Sequence, residues 1–253
     1  MADFPHAVQL FTVREQAQED FPGVLRTLKK MGWSGVELAG LHGYPLADIV
    51  AVVKETGLGV AGMHVSLDRL TTDLRQVVEE ARAFDARDLV CPSLPESVRT
   101  EDGYREVRQR LNGIAAELAR QEMRLCYHNH AFEFAATVDG KSGLEYLLEP
   151  TGTNLLLAEP DVYWIAKGGR DPLAFLGPYK GRMPLIHLKD MTDDEEKAFA
   201  AVGTGVLDFP AILSFCASAG VEWYVVEQDV CPGNPLDSLA VSLENLERLT
   251  ERA

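Results

Sequence analysis

The sequence predicts an α/β fold, a single (β/α)8 TIM barrel over residues 1–253, on three observations. A short apolar run, a polar turn, a helical-period segment and usually a glycine recur from end to end. Eight such units fill the chain at a mean of roughly 30 residues each, the size of a βα repeat. The apolar runs are nearly all apolar and lack the period-2 alternation of antiparallel strands, as expected of parallel strands buried on both faces. An open doubly wound sheet is the competing architecture. Eight regular units without a Ser/Pro/Gly-rich linker favour closure and place no domain boundary.

In chain order, the strand candidates are Ala7–Phe11, Gly35–Leu38, Gly59–His64, Asp88–Cys91, Arg124–His128, Asn154–Glu159, Pro184–His187 and Trp223–Glu227. Helical spacing follows the first strand at Val24, Leu25 and Leu28 and ends at Met31-Gly32. It recurs at Leu74, Val77, Val78, Ala81 and Phe84, and at Val107, Leu111, Ile114 and Leu118. The run Leu239, Val241, Leu243, Leu246 and Leu249 closes the chain. Gly32, Gly57 and Gly220 stand where a helix C-cap leads into the next strand.

Composition narrows the function. With 46% hydrophobic and 25% charged residues, the chain reads as globular rather than disordered or fibrous. Lys+Arg 24 against Asp+Glu 39 gives a net charge of −15, a field that repels a phosphate backbone, so no nucleic-acid partner is expected. Cys91, Cys126, Cys216 and Cys231 lie far apart with no CxxC spacing and read as reduced thiols. No apolar leader follows Met1-Ala2-Asp3-Phe4-Pro5, and no stretch approaches the roughly 18–20 apolar residues of a membrane span. The expectation is a cytoplasmic protein with no membrane partner. A homo-oligomer is compatible with such a barrel, although no interface is defined.

Barrel chemistry belongs at the C-terminal ends of the strands. Gathered there are Glu37, His64, His128, Asn129, His130, Glu133, Glu159, Asp161, His187, Lys189, Asp190, Glu227 and Asp229. Of the six histidines, only His6 and His42 fall elsewhere. Carboxylates and imidazoles converging on a barrel mouth suit one divalent metal ion. Mixed N/O ligation fits Mn²⁺, Co²⁺, Zn²⁺ or Fe²⁺, and an all-oxygen shell fits Mg²⁺. The preferred ligand set is Glu133, Asp161, His187 and Glu227, at separations of 28, 26 and 40 residues, each near one strand–helix unit. The alternative is that these carboxylates cap the following helices or pair with Lys189 and Arg170. On the fifth strand the choice stays open. His128 and His130 share parity and can both point inward. If His128 is the ligand, Glu133 acts on substrate.

At these residues the chain resembles the xylose isomerase-like TIM-barrel superfamily, in its sugar phosphate isomerase/epimerase branch. The resemblance rests on Val8-Gln9-Leu10-Phe11-Thr12-Val13-Arg14, Gly35-Val36-Glu37-Leu38-Ala39-Gly40 and Tyr127-His128-Asn129-His130-Ala131-Phe132-Glu133-Phe134. It continues in Glu159-Pro160-Asp161-Val162-Tyr163-Trp164, His187-Leu188-Lys189-Asp190, Val202-Gly203-Thr204-Gly205-Val206-Leu207-Asp208 and Val226-Glu227-Gln228-Asp229. These stretches span nearly the whole chain in order. The resemblance implies one divalent metal held from strands five to eight, with Asp161, His187 and Glu227 at the ligand positions of the last three. Ketose 3-epimerases of the tagatose type carry on the fifth strand a Glu that pairs with the eighth-strand Glu as two bases; here that position is His128. The histidine-rich segment is closer to inosose dehydratase, which brings in lyase chemistry as the alternative. No Gly-rich phosphate loop accompanies the "phosphate" of the branch name.

The expected activity is therefore metal-dependent isomerisation or epimerisation of a keto-sugar or related polyol through an enediolate. Returning the abstracted proton to another carbon isomerises the sugar, returning it to the other face epimerises it, and expelling a β-hydroxyl dehydrates it. Glu227 and His128 are the acid/base candidates, and Lys189 the oxyanion donor. Glu37, His64, His130 and Trp164 are expected to bind substrate, with Phe11 and Phe132 beside them. Three other readings compete: a DNA-repair endonuclease on a related barrel, opposed by the charge; a non-catalytic sugar-binding barrel; and a Schiff-base aldolase using Lys189.

Overall fold

The computed structural model describes residues 5–250. Eight parallel strands form one sheet: β1 His6–Gln9, β2 Gly35–Leu38, β3 Gly59–His64, β4 Asp88–Cys91, β5 Arg124–His128, β6 Leu157–Glu159, β7 Leu185–Leu188 and β8 Trp223–Val226. Their spatial order is β6-β5-β4-β3-β2-β1-β8-β7, the sequence order of a barrel cut between β6 and β7. That last seam is nearly closed. A parallel bridge joins Asp161 to His187, whose N–H donates to the Pro160 carbonyl at 2.9 Å. Pro160 has no N–H to pair, which a strand end tolerates.

The helices lie between the strands: α1 Arg14–Met31, α2 Leu46–Thr56, α3 Leu67–Thr72, α4 Leu74–Ala83, α5 Glu101–Ala119, α6 Gly143–Leu148, α7 Val162–Lys167, α8 Pro172–Leu176, α9 Phe209–Ala219 and α10 Pro235–Thr250. The apolar stripes of the sequence are the faces they bury against the sheet: Val77, Val78 and Ala81 on α4, and Val107, Leu111, Ile114 and Leu118 on α5. Each such large side chain is worth about 1.5–3 kcal/mol when fully buried. Gly32, Gly57 and Gly220 take left-handed conformations at the C-caps of α1, α2 and α9. No helix among the described residues is long and apolar enough to cross a membrane.

Four strands differ from the sequence reading at their ends, β8 only by stopping one residue earlier, at Val226. The chain leaves β1 at Gln9, because Leu10–Val13 winds into a 3-10 turn capped by the Gln9 side chain on the Phe11 N–H. Asn154 does not open β6; its amide is spent holding the Leu147 and Glu149 carbonyls at the end of α6. On the other side of the seam β7 starts at Leu185, since the carbonyl of Pro184 accepts from the N–H groups of Glu222 and Trp223 before the ladder begins.

Alternation along the strands fills the interior in layers. At the N-terminal rim the Arg124 guanidinium bonds both Asp88 oxygens and Glu222. Beside it the Trp223 ring lies where a Cβ on Gly35 or Gly59 would come within 2.7 Å. The middle layer is small and apolar: Ala7, Ala61, Val90, Cys126, Leu185 and Val225. The top layer is polar and buried, and it is the site.

Candidate metal centre at the barrel mouth

Two residues past four of the apolar interior positions, Ala7, Cys126, Leu185 and Val225, the same strand parity presents a polar side chain: Gln9, His128, His187 and Glu227, with Glu159 following Leu157. Asp161 continues the β6 parity just beyond the strand and caps α7, its carboxylate accepting from the Trp164 N–H at 3.0 Å. Its own N–H is held by Asn129 Oδ1 at 3.0 Å. Thus the backbone of one strand end is pinned by the polar residue of its neighbour.

The structure brings His128, Asp161, His187 and Glu227 together. All four are buried, and each offers one ligand atom within 4.8 Å of the others. His187 Nδ1 lies 3.0 Å from Glu227 Oε2, and Lys189 Nζ lies 3.0, 2.8 and 2.8 Å from Asp161, Glu227 and Asp229. On the other side Glu37 Oε2 accepts from Gln9 Nε2 and contacts His187 Nε2 at 2.7 Å and His64 Nε2 at 3.2 Å. Glu159 Oε2 contacts the same His64 nitrogen at 2.9 Å.

These contacts set the charges. Burial pushes the Lys189 ammonium towards neutrality, but Asp161, Glu227 and Asp229 outweigh it and keep the proton on. Burial likewise opposes ionisation of Glu227, and Lys189 and His187 overcome it, holding this carboxyl well below the usual range. Glu37 is held low in the same way by His64 and His187, while His64 is raised to about 10 by Glu37 and Glu159. His128 moves the other way: burial, then the nearby His187 and Lys189 charges, hold it well below an ordinary imidazole, so it is neutral and has a free lone pair. Burial, aided by the Glu227 charge and only partly offset by Lys189 and His187, pushes Asp161 up to about 6.

Neutral imidazole and carboxylate are the donors a borderline divalent ion takes. Asp161 Oδ2 is buried and points into the cluster, where its close partner is the Lys189 ammonium at 3.0 Å, a cation at the place a divalent ion would share. The donor set fits the ion.

Glu133 does not join it. Sequence spacing preferred this residue as the fifth-strand ligand, but the 3-10 turn Phe132–Phe134 turns its carboxylate away. There it is fully buried, accepting from the Tyr127 hydroxyl and the His130 N–H, both at 2.8 Å. The β5 residue whose ring lies among Asp161, His187 and Glu227 is His128. Burial raises the Glu133 carboxyl from 4.5 to about 8. The folded chain thus holds a proton that the unfolded chain has released, so stability falls as pH rises from 4.5 to about 8. Glu133→Gln keeps both partners and removes that dependence. Urea unfolding is expected to show the variant gaining on the parent by roughly 1 kcal/mol per pH unit across this window. A constant difference would contradict the assignment.

A cleft of about 450 Å³ opens over the cluster, lined among others by Phe11, His64, Arg69, His128, His130 and Glu227. From His130 a run of ring contacts leads to Trp164 at 5.1 Å and on to Phe199 at 5.7 Å between centroids, and the Lys189 ammonium lies 5.5 and 6.0 Å from the last two rings. Phe199 was not legible as a site residue; it arrives on a loop that Asp190 clamps through the N–H groups of Met191, Gly203, Gly205 and Leu207. A larger cavity, about 510 Å³, lies at the opposite rim around Arg124 and Trp223, and none of the clustered donors lines it. The chemistry places the site at the mouth.

Comparison with known proteins attests the fold that carries the site. Inosose dehydratase of Clostridium tetani is 27% identical over 157 residues, covering 54% of this chain and 52% of that protein. The chain spans about half the length of the inosose dehydratases it matches. Rhizopine catabolism protein MocC of Rhizobium meliloti is 25% identical over 90% of this chain and 81% of its own length. Among solved structures, a sugar phosphate isomerase/epimerase from Parabacteroides distasonis superposes with a TM-score of 0.80 at 21% identity, covering 97% of this chain and 94% of that one. The 3-keto-D-glucoside 4-epimerase of E. coli does so at 0.69 and 18%, covering 97% and 100%. At those identities the structures attest the shared fold. The match that reaches further is to the family described as xylose isomerase-like TIM barrel; it takes in residues 25–249, and this chain belongs to that family.

Proposed function

We propose that the chain is a divalent-metal-dependent isomerase or epimerase of a keto-sugar or related polyol, working through an enediolate of the substrate. The observation that carries this reading is the buried quartet His128, Asp161, His187 and Glu227, four donors from four successive strand ends within 4.8 Å. They would hold one ion, of Mn²⁺, Co²⁺, Zn²⁺, Fe²⁺ or Mg²⁺, with the mixed donors favouring the first four. When bound, such an ion supplies Lewis-acid polarisation of the substrate's carbonyl and hydroxyl oxygens.

The chain's own residues supply the rest. Glu227, kept ionised, accepts the proton from carbon, and neutral His128 is the second group able to exchange one. Lys189, kept charged, donates to the oxygen on which negative charge develops. That charge also removes it as a Schiff-base nucleophile, which requires a free amine. Glu37 and His64 offer an acceptor and a donor for sugar hydroxyls, while His130 and Trp164 cover the apolar face of the ring. On this reading the partner is a small sugar in the cytoplasm, not a nucleic acid.

A second outcome is dehydration of a keto-sugar or keto-inositol, favoured by one observation: β5 presents an imidazole, not a second carboxylate base. Incubation with a keto-sugar and inosose panel in D₂O, followed by NMR, separates these. Metal-dependent deuterium uptake at a substrate carbon with an isomer accumulating is the expected result. Loss of water from the substrate would make the enzyme a lyase, and binding without exchange would make it a sugar-binding barrel.

A further inference from the structure

His187 is gripped on both edges of its ring. Nδ1 lies 3.0 Å from Glu227 Oε2 and 3.9 Å from Asp161 Oδ2, so this nitrogen faces the two carboxylates of the quartet. Nε2 points the other way and lies 2.7 Å from Glu37 Oε2, the shortest of the ring's carboxylate contacts. A neutral imidazole has one lone pair and one N–H. Only one of its nitrogens can bind an ion, and the other needs an acceptor.

Glu37 is built to be that acceptor. It is fully buried on β2. Its Oε2 also accepts from Gln9 Nε2 at 2.8 Å, and Gln9 cannot turn its amide round, because Gln9 Oε1 accepts from the Phe11 N–H at 3.1 Å. A fixed donor therefore pins the carboxylate from β1 while His187 meets it from β7. On β3, Gly62 leaves the room: a Cβ there would stand 2.7 Å from Glu37 Oε1. A register shift between Val36 and Glu37 brings Gly62, rather than Ala61, opposite the carboxylate. Glu37 Oε1 makes no hydrogen bond among the described residues and is the oxygen left for a substrate hydroxyl. His64 stands 3.2 Å from Oε2 but nearer Glu159, at 2.9 Å, so His187 is the principal imidazole partner of Glu37.

We infer that Glu37 is a positioning residue: it accepts a hydrogen bond from the His187 Nε2–H and so fixes the tautomer whose Nδ1 lone pair points to the ion's place between Asp161 and Glu227. Gln9 holds it in that role. The opposite tautomer would turn an N–H towards the ion's place. It would also set a nitrogen lone pair against a carboxylate oxygen at 2.7 Å with no proton between them. The charge of Glu37 further makes the ring a stronger donor to a cation, as carboxylates behind ligating histidines do. This inference rests on the proposed ion at the quartet and states which atom of His187 meets it.

The test is read without turnover. The full chain, with ¹⁵N-labelled histidines, is stripped with chelator, loaded with ¹¹³Cd²⁺ and observed by NMR. The His187 ring proton is expected on Nε2 and the splitting from cadmium on Nδ1; the reverse overturns the inference. Release of Mn²⁺ from the loaded chain into excess chelator gives a second reading. Glu37→Gln keeps an oxygen for Gln9 but loses the charge. It is expected to release the ion about 10–100-fold faster, the loss of affinity typical when such an outer partner is altered. A variant that melts lower yet holds its ion as long as the parent would reduce Glu37 to a structural residue and overturn the inference. Should Glu37→Gln fail to fold, the parent spectrum decides alone. A parent chain that binds no ion overturns this inference and the proposed function together. An ion bound through His187 Nε2 overturns the inference and leaves the proposed function standing.

Discussion

Asp161→Asn is expected to remove one bound ion per chain and to lower turnover about 10²–10⁴-fold while leaving the barrel folded. The fold survives because Oδ1 does the structural work. It accepts from the Trp164 N–H at 3.0 Å and caps α7, and an amide oxygen does the same. The function does not survive because Oδ2 does the chemical work. It faces Lys189 Nζ at 3.0 Å and a nitrogen of His128 and of His187 at 3.9 Å. An NH₂ there sets a donor against an ammonium and withdraws the charge that a divalent ion requires. Altering even an outer-shell partner of a metal ligand typically costs 10–100-fold, so losing the ligand itself costs more. Metal content and kcat/KM measured beside a melting curve check this; unchanged turnover with a normal melt would remove Asp161 from the site.

Lys189→Met has the second large effect, and its parts move in opposite directions. Lys189 is almost fully buried between Asp161, Glu227 and Asp229. Removing one partner of a buried charge network leaves the others uncompensated, typically at 3–5 kcal/mol. Stability in chelator is therefore expected to fall by about that much. A divalent ion then gains two carboxylates that no longer bind an ammonium, so metal affinity rises and added metal restores part of the lost stability. Turnover still falls about 10²–10³-fold, as for loss of one donor to a developing oxyanion. Urea unfolding with chelator and with Mn²⁺, together with kcat, reads all three. A variant that loses stability equally in both media, with metal affinity unchanged, would show that Lys189 and the ion do not share ligands.

The barrel was legible because its strands are buried on both faces and leave runs such as Asp88–Cys91 and Trp223–Val226 that only a covered sheet accommodates. Three short helices after β5 were not. Those at Gly143–Leu148, Val162–Lys167 and Pro172–Leu176 have six, six and five residues, too short for a 3.6-residue period to show. Side-chain caps from Ser142, Asp161 and Asp171 start them. In the site, Asp161, His187 and Glu227 could be read from unit-length spacing, since each continues the inward parity of its strand. Glu133 shows the limit of that arithmetic. Spacing along the chain says nothing of direction, and Glu133 follows the outward-facing Tyr127, not the inward-facing His128. Glu159 was visible among the strand-end acids, and its parity with Asp161 was the signal that both point inward.

The central claim is an ion shared by four strand ends, and the most direct measurement is anomalous X-ray diffraction from crystals of the Mn²⁺- or Co²⁺-loaded chain. The account predicts a peak about 2.0–2.3 Å from one atom each of His128, Asp161, His187 and Glu227. A loaded crystal with no peak among those four residues, or with its ion bound only elsewhere, would contradict it.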